Sequence, residues 1–193
     1  VRTYDLGAKS LWSDEGLTLR RAEQPLSLVF ENVNLIPIGP DYQDGSNADS
    51  FVRTPDLHPP LYFLTMHVWM TLAGRSEFAL RYPSVFAATL SVALLYVVGR
   101  ALFNRETGLW AALLGAVSPF FLWYAQEARM YSWLIVLSLA SIYFFLPLLE
   151  KGPRWKDYAA YVVTTLALLY THYAGFLLLA FELGIYGLHH LRR

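Results

Sequence analysis

The sequence contains no cysteine, and charged residues make up only 16% of its 193 positions. The absence of cysteine excludes disulfide scaffolds and cysteine-ligated zinc or iron–sulfur sites. The low charge is unlike a soluble domain, which usually carries about 25% charged residues. Basic and acidic residues are equal in number, with 15 of each. Because a nucleic-acid binder shows a basic excess or stripe, we expect no nucleic-acid partner.

Long uncharged runs are present instead. The runs Tyr82–Gly99, Thr107–Gln126 and Met130–Leu149 contain 18, 20 and 20 residues without a formal charge. A bilayer core of ~30 Å needs about 20 helical residues, so each run is long enough to span. Buried helices of a soluble protein are the alternative, but the sequence then lacks the amphipathic helices that would cover them. We therefore predict an all-α, multi-pass transmembrane helix bundle.

The stretch Tyr158–Leu191 has Glu182 as its only formal charge. It is too long for one span and predicts a helical hairpin that turns near residues 171–175, which brings the expected number of spans to about five. A charged residue inside a span is costly unless it has a partner or faces a cavity. The sequence names no partner for Glu182.

The short links between the runs give the orientation. If the links 100–106 and 150–157 and the tail 191–193 are cytoplasmic, that side holds seven basic residues, and the opposite links hold only Arg129. This asymmetry follows the positive-inside rule. It predicts a multi-pass protein of the cell (cytoplasmic) membrane in which links 127–129 and 172–173 face outward.

The segment Pro59–Gly74 is uncharged but short, about 24 Å as a helix. It either spans by thinning the bilayer or lies as a juxtamembrane helix at the outer surface. A spanning helix would put Asp14 and Glu127 on opposite sides of the membrane, whereas a juxtamembrane helix would leave them in one compartment. We favour the second arrangement, with an extracytoplasmic loop over residues 1–81 and the helix bundle over residues 82–193.

The first candidate motif is Trp12-Ser13-Asp14-Glu15-Gly16. Two adjacent carboxylates suit a general base beside an orienting group or a metal ligand. The motif also predicts a helix start with Ser13 or Asp14 as the cap. In the simpler interpretation, the acids only complement the helix dipole.

The second motif, Leu57-His58-Pro59-Pro60-Leu61-Tyr62, predicts a helix that begins at the prolines. His58 then lies at the mouth of this helix, where outward-pointing N–H groups favour a phosphate or carboxylate.

The third motif is Tyr124-Ala125-Gln126-Glu127-Ala128-Arg129-Met130-Tyr131. Glu127 and Arg129 lie in an outward link where the positive-inside rule does not require a basic residue. They either bind an anionic headgroup or pair with each other.

The fourth motif, Thr171-His172-Tyr173, lies in the predicted hairpin turn. His172 is a candidate substrate-binding residue, although from the motif alone an interfacial aromatic belt is the favoured interpretation.

Taken together, the order WSDEG, HPPLYF, RYPSVFAATLSVALLYVVGRALF, YAQEARMYSW and LYTHY resembles the protein O-mannosyltransferase-like membrane glycosyltransferases of the C-type fold. The resemblance implies a sugar donor carried on a polyprenyl phosphate and used outside the cytoplasm. It also implies that Asp14 is the catalytic carboxylate. The element HPP would begin a juxtamembrane helix, and Glu127 would belong to the next outer loop.

The chemistry of this family gives the remaining residues their expected roles. A carboxylate must remove the proton of the acceptor hydroxyl. His58 and Arg129 would stabilise the departing lipid phosphate. Glu15 and Glu127 would orient the acceptor or hold a divalent metal, which the sequence leaves open. Tyr131 and His172 are additional candidate substrate-binding residues, and the apolar helices would form a groove for the polyprenyl tail within membrane lipid.

Some expectations remain open at the level of sequence. The resemblance implies a membrane helix before the acidic pair, so we expect this chain to be the N-terminal portion of such an enzyme without its first helix. Some aminoarabinose transferase relatives have lysine at the position of His58. The sugar is not specified, and the acceptor is a protein, a lipid or a glycan.

A transporter or lipid-binding membrane protein without catalysis is the alternative function, and a purely structural membrane subunit is a third.

Overall fold

A computed structural model of the protein describes residues 2–37, 51–150 and 152–191. Within these residues the chain is mainly helical. The elements are α1 (Ser13–Glu23), α2 (Leu26–Phe30), β1 (Val33–Pro37), β2 (Phe51–Pro55), α3 (Leu61–Ala73), α4 (Glu77–Leu102), α5 (Arg105–Val117), α6 (Pro119–Ala125), α7 (Tyr131–Phe145), a 3-10 turn (Leu146–Leu149), α8 (Trp155–Thr171) and α9 (Gly175–Leu191).

Two short strands correct the prediction of an all-α fold. β1 and β2 pair antiparallel, with Val33 opposite Pro55 at one end of the ladder. The backbone N–H of Asp56 continues this pairing by donating to the carbonyl of Asn32 at 2.8 Å. The hairpin therefore fixes the position of the segment that leads into α3.

Among the residues that the structure describes, two helices are long and apolar enough to cross a membrane. They are α4 and the continuous helical segment Tyr131–Leu149, which combines α7 with the 3-10 turn. The bent pair α5–α6 raises the number of candidate spans to three if it counts as one. The prediction of about five spans is therefore met only in part by the described residues. α3 is apolar but has 13 residues, about 20 Å, and so is shorter than the bilayer core.

The run Thr107–Gln126 does not form one straight helix. The chain bends by 57° between α5 and α6. Pro119 is the first residue of α6, and Ser118 before it has an extended backbone. Proline disfavours a helical conformation in the residue that precedes it, which explains why the helix ends there. The Ser-Pro signal is visible in the sequence, but the prediction from run length did not use it.

The predicted hairpin at the end of the chain is present. α8 ends at Thr171 and α9 begins at Gly175, within the region predicted for the turn. Glycine is needed at position 175, because a Cβ atom there would lie 2.8 Å from Cγ of Leu168.

Close packing of α4 on α5 also depends on glycine. A Cβ atom on Gly108 would lie 2.6 Å from the carbonyl oxygen of Tyr96 and 2.9 Å from the nitrogen of Arg100. Small residues of this kind allow membrane helices to approach backbone to backbone.

The buried core of the N-terminal part of the chain lies where α1, α2 and α3 meet the beginning of α4 and the link before α7. Its buried side chains are Ala22, Val29, Tyr62, Phe63, Met66, Met70, Leu80, Ala128 and Met130. This core joins residues far apart in sequence and places the N-terminal acidic motif beside the link between α6 and α7.

Candidate active site

Glu15 lies in the first turn of α1 with only 1% of its surface exposed. Its Oε1 atom accepts hydrogen bonds from Nε of Arg81 and from the backbone N–H of Ala128, each at 2.8 Å. Its Oε2 atom accepts from Nη2 of Arg81 at 2.7 Å and from the N–H of Trp12 at 3.3 Å. Both carboxylate oxygens are therefore occupied by protein donors. Glu15 is thus suited to orienting Arg81 and the link that contains Ala128.

The same contacts correct the prediction for the helix cap. Trp12 is the N-cap of α1, and neither Ser13 nor Asp14 holds that position. The carboxylate of Glu15, the third helical residue, accepts from the N–H of the N-cap residue, as in one half of a capping box. Both acids also lie at the positive end of the helix dipole.

Arg81 links α4 to the N-terminal segment. In addition to Glu15, it donates to the carbonyl oxygens of Leu6 at 2.7 Å, Lys9 at 2.9 Å and Ser10 at 3.2 Å. Burial alone would raise the pKa of Glu15, but the Arg81 hydrogen bonds and charge, together with backbone N–H donors, hold this pKa below its ordinary value.

Asp14 differs from its neighbour because 39% of its side chain is exposed. Nη2 of the buried Arg129 lies 3.9 Å from Oδ2 of Asp14, a charge contact longer than a hydrogen bond. Nη1 of Arg129 donates to the backbone carbonyl of Asp14 at 3.3 Å and to Oγ1 of Thr18 at 3.4 Å. An accessible carboxylate is therefore held beside a fixed guanidinium group.

Aromatic contacts extend from Arg129 to two histidines. The Arg129 guanidinium carbon lies 5.7 Å from the centre of the Tyr131 ring. The Tyr131 and His172 ring centres are 6.2 Å apart, and the His172 and His58 ring centres are also 6.2 Å apart. We call Asp14, Arg129, Tyr131, His172 and His58 the Arg129 cluster. Its members come from four separate parts of the fold.

Asp56 positions His58 within this cluster. Its Oδ1 atom accepts from the N–H of His58 at 2.7 Å and contacts the ring Nδ1 at 3.0 Å. Its Oδ2 atom pairs with the buried Arg21 and accepts from the side chain of Asn34, both at 2.7 Å. Burial would raise the pKa of Asp56, but the His58 and Asn34 hydrogen bonds and the Arg21 charge hold it well below its usual range.

The ring of His172 is oriented by its own turn. The backbone N–H of Ala174 donates to Nδ1 of His172 at 3.0 Å. In the neutral imidazole the proton is therefore on Nε2, which becomes the donor. Burial lowers the pKa of His172, and the neighbouring charges of His58 and Arg129 lower it further.

Glu127 contributes a third carboxyl group to this region. Burial raises its pKa; a hydrogen bond with Trp123 acts in the opposite direction, and the negative charge of Glu15 raises the pKa further. Arg129 lowers the pKa and Asp14 raises it, which places Glu127 in the electrostatic field of both. Asp14, His58 and Glu127 thus lie in one neighbourhood, and an arrangement that separates them by a hydrocarbon core does not fit these contacts.

A cleft of about 570 Å³ opens beside the Arg129 cluster. Its aromatic wall consists of Tyr4, Trp12, Trp123, Tyr124 and Tyr131, and Glu127 is among its polar lining residues. Tyr131 belongs to both the cleft and the Arg129 cluster, so it marks the junction between them.

Three positioning residues were not found by sequence reasoning. Arg81 directly precedes the uncharged run that begins at Tyr82, and Arg21 lies in the last turn of α1. Asp56 does carry a local signal, since an aspartate two residues before a backbone N–H often accepts from it. The partners of Arg81 and Arg21 are distant in sequence and become visible only in the folded chain.

The sequence offers Glu15 and Glu127 as ligands for a divalent metal. Within residues 2–37, 51–150 and 152–191, no group of three or more histidine, aspartate and glutamate side chains is placed to hold a metal ion.

Comparison with known proteins agrees with the resemblance seen in the sequence. A sequence model of the family described as dolichyl-phosphate-mannose-protein mannosyltransferase matches residues 57–193, well over half of the chain. His58, Glu127, Arg129, Tyr131 and His172 fall inside the match, whereas Asp14 and Glu15 precede it. Comparisons with curated proteins and with solved structures gave no match.

Proposed function

The chain belongs to the dolichyl-phosphate-mannose-protein mannosyltransferase family, and from this premise we propose that it transfers a sugar from a polyprenyl-phosphate donor to an acceptor hydroxyl on the extracytoplasmic side of the cell membrane. The family itself makes the chain a membrane glycosyltransferase of the mannosyltransferase type. The observation that carries the proposal is the accessible Asp14 carboxylate beside the buried Arg129 guanidinium, 3.9 Å away.

Asp14 is the proposed general base. The acceptor oxygen attacks the anomeric carbon of the donor sugar while its proton passes to the carboxylate of Asp14. The bond between the anomeric carbon and the phosphate oxygen breaks, and its electron pair leaves with the lipid phosphate. Asp14 suits this role better than Glu15, because both oxygens of Glu15 are already occupied by Arg81 and backbone N–H donors.

The Arg129 cluster is the proposed site of the departing phosphate. Arg129 supplies a permanent positive charge, and the long contact to Asp14 leaves Nη2 able to donate to a phosphate oxygen. His58, oriented by Asp56, and His172, with Nε2 as its donor, lie on the same path of ring contacts. Such groups stabilise the negative charge that grows on the leaving oxygen.

The cleft is the proposed place of the acceptor and of the sugar ring. Trp12, Trp123 and Tyr124 offer flat apolar surfaces with polar edges. Glu127 adds a carboxyl group whose pKa is raised by burial and which can therefore share a proton with a substrate hydroxyl. Tyr131 lies where the cleft meets the Arg129 cluster, which is where the sugar and the phosphate would be joined.

The membrane arrangement is part of the same proposal. Residues 1–81 form the extracytoplasmic part with α3 as a juxtamembrane helix, and residues 82–193 form the helix bundle with about five spans. The lengths of α4 and of Tyr131–Leu149 and the shortness of α3 support this division. The apolar helix surfaces would contact membrane lipid and the polyprenyl tail of the donor.

The test is release of free polyprenyl phosphate by the purified protein in lipid nanodiscs, because this product forms whichever acceptor is used. Polyprenyl-phosphate-mannose would be supplied with a Ser/Thr peptide, a lipid or a glycan as acceptor. Acceptor-dependent release supports the proposal. Donor binding without release with every acceptor would overturn it and would favour a lipid-binding protein without catalysis.

A further inference from the structure

The carboxyl group of Glu182 lies inside the helix bundle, away from the site described above. It is on α9, and 1% of the residue is exposed. The Ser141 hydroxyl on α7 lies 3.1 Å from each carboxyl oxygen, and the Tyr161 hydroxyl on α8 lies 3.0 Å from Oε2. Ser141 also lies 3.1 Å from the Thr165 hydroxyl on α8. One carboxyl group therefore joins three helices.

Most residues of α9 are not buried. Among the described residues of this helix only Gly175 and Glu182 are buried. Gly175 fixes the beginning of α9 against Leu168 at the hairpin turn. Glu182 is seven residues later, about 10 Å along the helix, and provides the second point of attachment. Two fixed points define the direction of a helix, so the register of α9 relative to α7 and α8 depends on this carboxyl group.

A polar attachment is expensive in this setting. An apolar side chain would cost less to bury in a membrane helix, but it would pack with many rotations of α9. Hydrogen bonds have directions, and polar groups between membrane helices select one arrangement over others. The placement of Glu182 is therefore explained better by specificity of position than by stability.

The three attached helices carry residues of the proposed site at one shared end. α7 begins with Tyr131, which lies ten residues or about 15 Å before Ser141. The turn between α8 and α9 carries His172, whose ring contacts those of Tyr131 and His58. A change in the register of α9 moves this turn because only three residues separate the two helices.

We infer that Glu182 is a positioning residue, whose hydrogen bonds to α7 and α8 fix the register of α9 and thereby hold His172 against Tyr131 and His58. Its effect on donor use rests on the proposed function. Its effect on the position of α9 does not, and the two are measured separately.

The first measurement is a distance. Because the chain contains no cysteine, spin labels attach only at introduced cysteines. The exposed Leu177 on α9 and Leu114 on α5 would carry the labels. Glu182→Leu should broaden or shift the distance distribution. Glu182→Gln should preserve it, since the amide oxygen accepts from Tyr161 as the carboxyl oxygen does, and the amide N–H can donate to the Ser141 hydroxyl oxygen in place of accepting from it.

The second measurement is kinetic. Glu182→Leu should raise the donor KM about tenfold and change kcat much less, while Glu182→Gln should stay within about threefold of the parent. A residue that only stabilised the fold would reduce the amount of folded protein and leave the KM of the folded fraction unchanged. Phe181→Leu is the matched control, because Phe181 is the exposed neighbour of Glu182 on α9.

The outcomes are distinct. An unchanged distance distribution in Glu182→Leu, or equal damage by Glu182→Gln, overturns the inference. If Glu182→Leu does not fold, Ser141→Ala removes one attachment with a smaller volume change and should give a weaker shift in the same direction. Absence of sugar transfer in the parent would overturn the proposed function, and the distance measurement would still decide the role of Glu182.

Discussion

Arg81 holds the carboxylate of Glu15 through two hydrogen bonds of 2.8 and 2.7 Å, across 66 positions of sequence. Both side chains of the pair are buried, and Arg81 also donates to three carbonyl oxygens of the N-terminal segment. Through Ala128 the same carboxylate reaches the link that carries Glu127 and Arg129. This ion pair therefore joins the N-terminal segment, α1 and α4 to the link between α6 and α7.

Loss of Arg81 should destabilise the protein strongly. Arg81→Ala leaves a buried carboxylate without its cation, which typically costs about 3–5 kcal/mol. Arg81→Lys should lie between the parent and the alanine variant, because lysine cannot reproduce the two-bond geometry. Thermal unfolding of the purified parent and of both variants in detergent measures this order of stability.

The control is Arg75→Ala. Arg75 pairs with Glu23 at 2.8 Å, but the two side chains are 68% and 36% exposed. Pairs of this kind contribute roughly 0–1 kcal/mol. Equal destabilisation by Arg75→Ala and Arg81→Ala would contradict the structural role given to the buried pair.

Replacing Asp14 should remove transfer without unfolding the protein. Asp14→Asn keeps the shape of the side chain, but the amide cannot remove the proton of the acceptor hydroxyl. General-base catalysis contributes roughly 10²–10⁴-fold to the rate of transfer. Donor binding should persist because the Arg129 cluster remains. Glu23→Gln is the matched control on the same helix. Substantial transfer by Asp14→Asn would show that another group is the base.

Acid should weaken the fold through Asp56. Its pKa is lowered in the folded protein, so the folded state binds this proton more weakly than the unfolded chain does. The resulting stabilisation is complete above the ordinary aspartate pKa of about 4 and is lost as the pH falls below it. In Asp56→Asn, stability should be lower at neutral pH and should fall less steeply as the pH is lowered below about 4. Parallel unfolding curves for variant and parent across this range would contradict the assignment.

A methyl group at the contact between α4 and α5 should be poorly tolerated. Gly108→Ala places a Cβ atom 2.6 Å from a backbone oxygen of α4, and forced packing of this kind costs about 1–3 kcal/mol. Gly184→Ala is the control, because no atom lies within 4 Å of a Cβ at that position. Unfolding in detergent should separate the two variants, with Gly184→Ala neutral or slightly stabilising. Equal stability of the two would contradict the close helix contact.

The predicted orientation is testable by thiol labelling, since the native chain has no cysteine. Phe103→Cys and Trp155→Cys place exposed thiols within the links 100–106 and 150–157, which are predicted to be cytoplasmic. Both should resist a membrane-impermeant reagent in intact cells, whereas Tyr173→Cys should react. The reverse labelling pattern would invert the topology.

Several features of the fold follow from local sequence. The uncharged run beginning at Tyr82 became the long helix α4, and the run beginning at Met130 became α7 with its 3-10 turn. The hairpin turn at residues 172–174 followed from the length of the last run. These features depend on hydrophobic length alone. The break at Pro119 and the strand pair β1–β2 were missed, because each depends on a local backbone choice inside a longer pattern.

The sequence by itself determined the class of the protein and supplied the candidate residues of the proposed site, because membrane spans and short polar motifs are local patterns. Tertiary structure decided what each residue does. Asp14 and Glu15 are neighbours in sequence, yet a helical turn points one at solvent and Arg129 and the other at the buried Arg81. Glu182 acquired partners only when α7, α8 and α9 packed together. Such pairings join distant parts of the chain, and burial and hydrogen-bond direction select them only in the folded state.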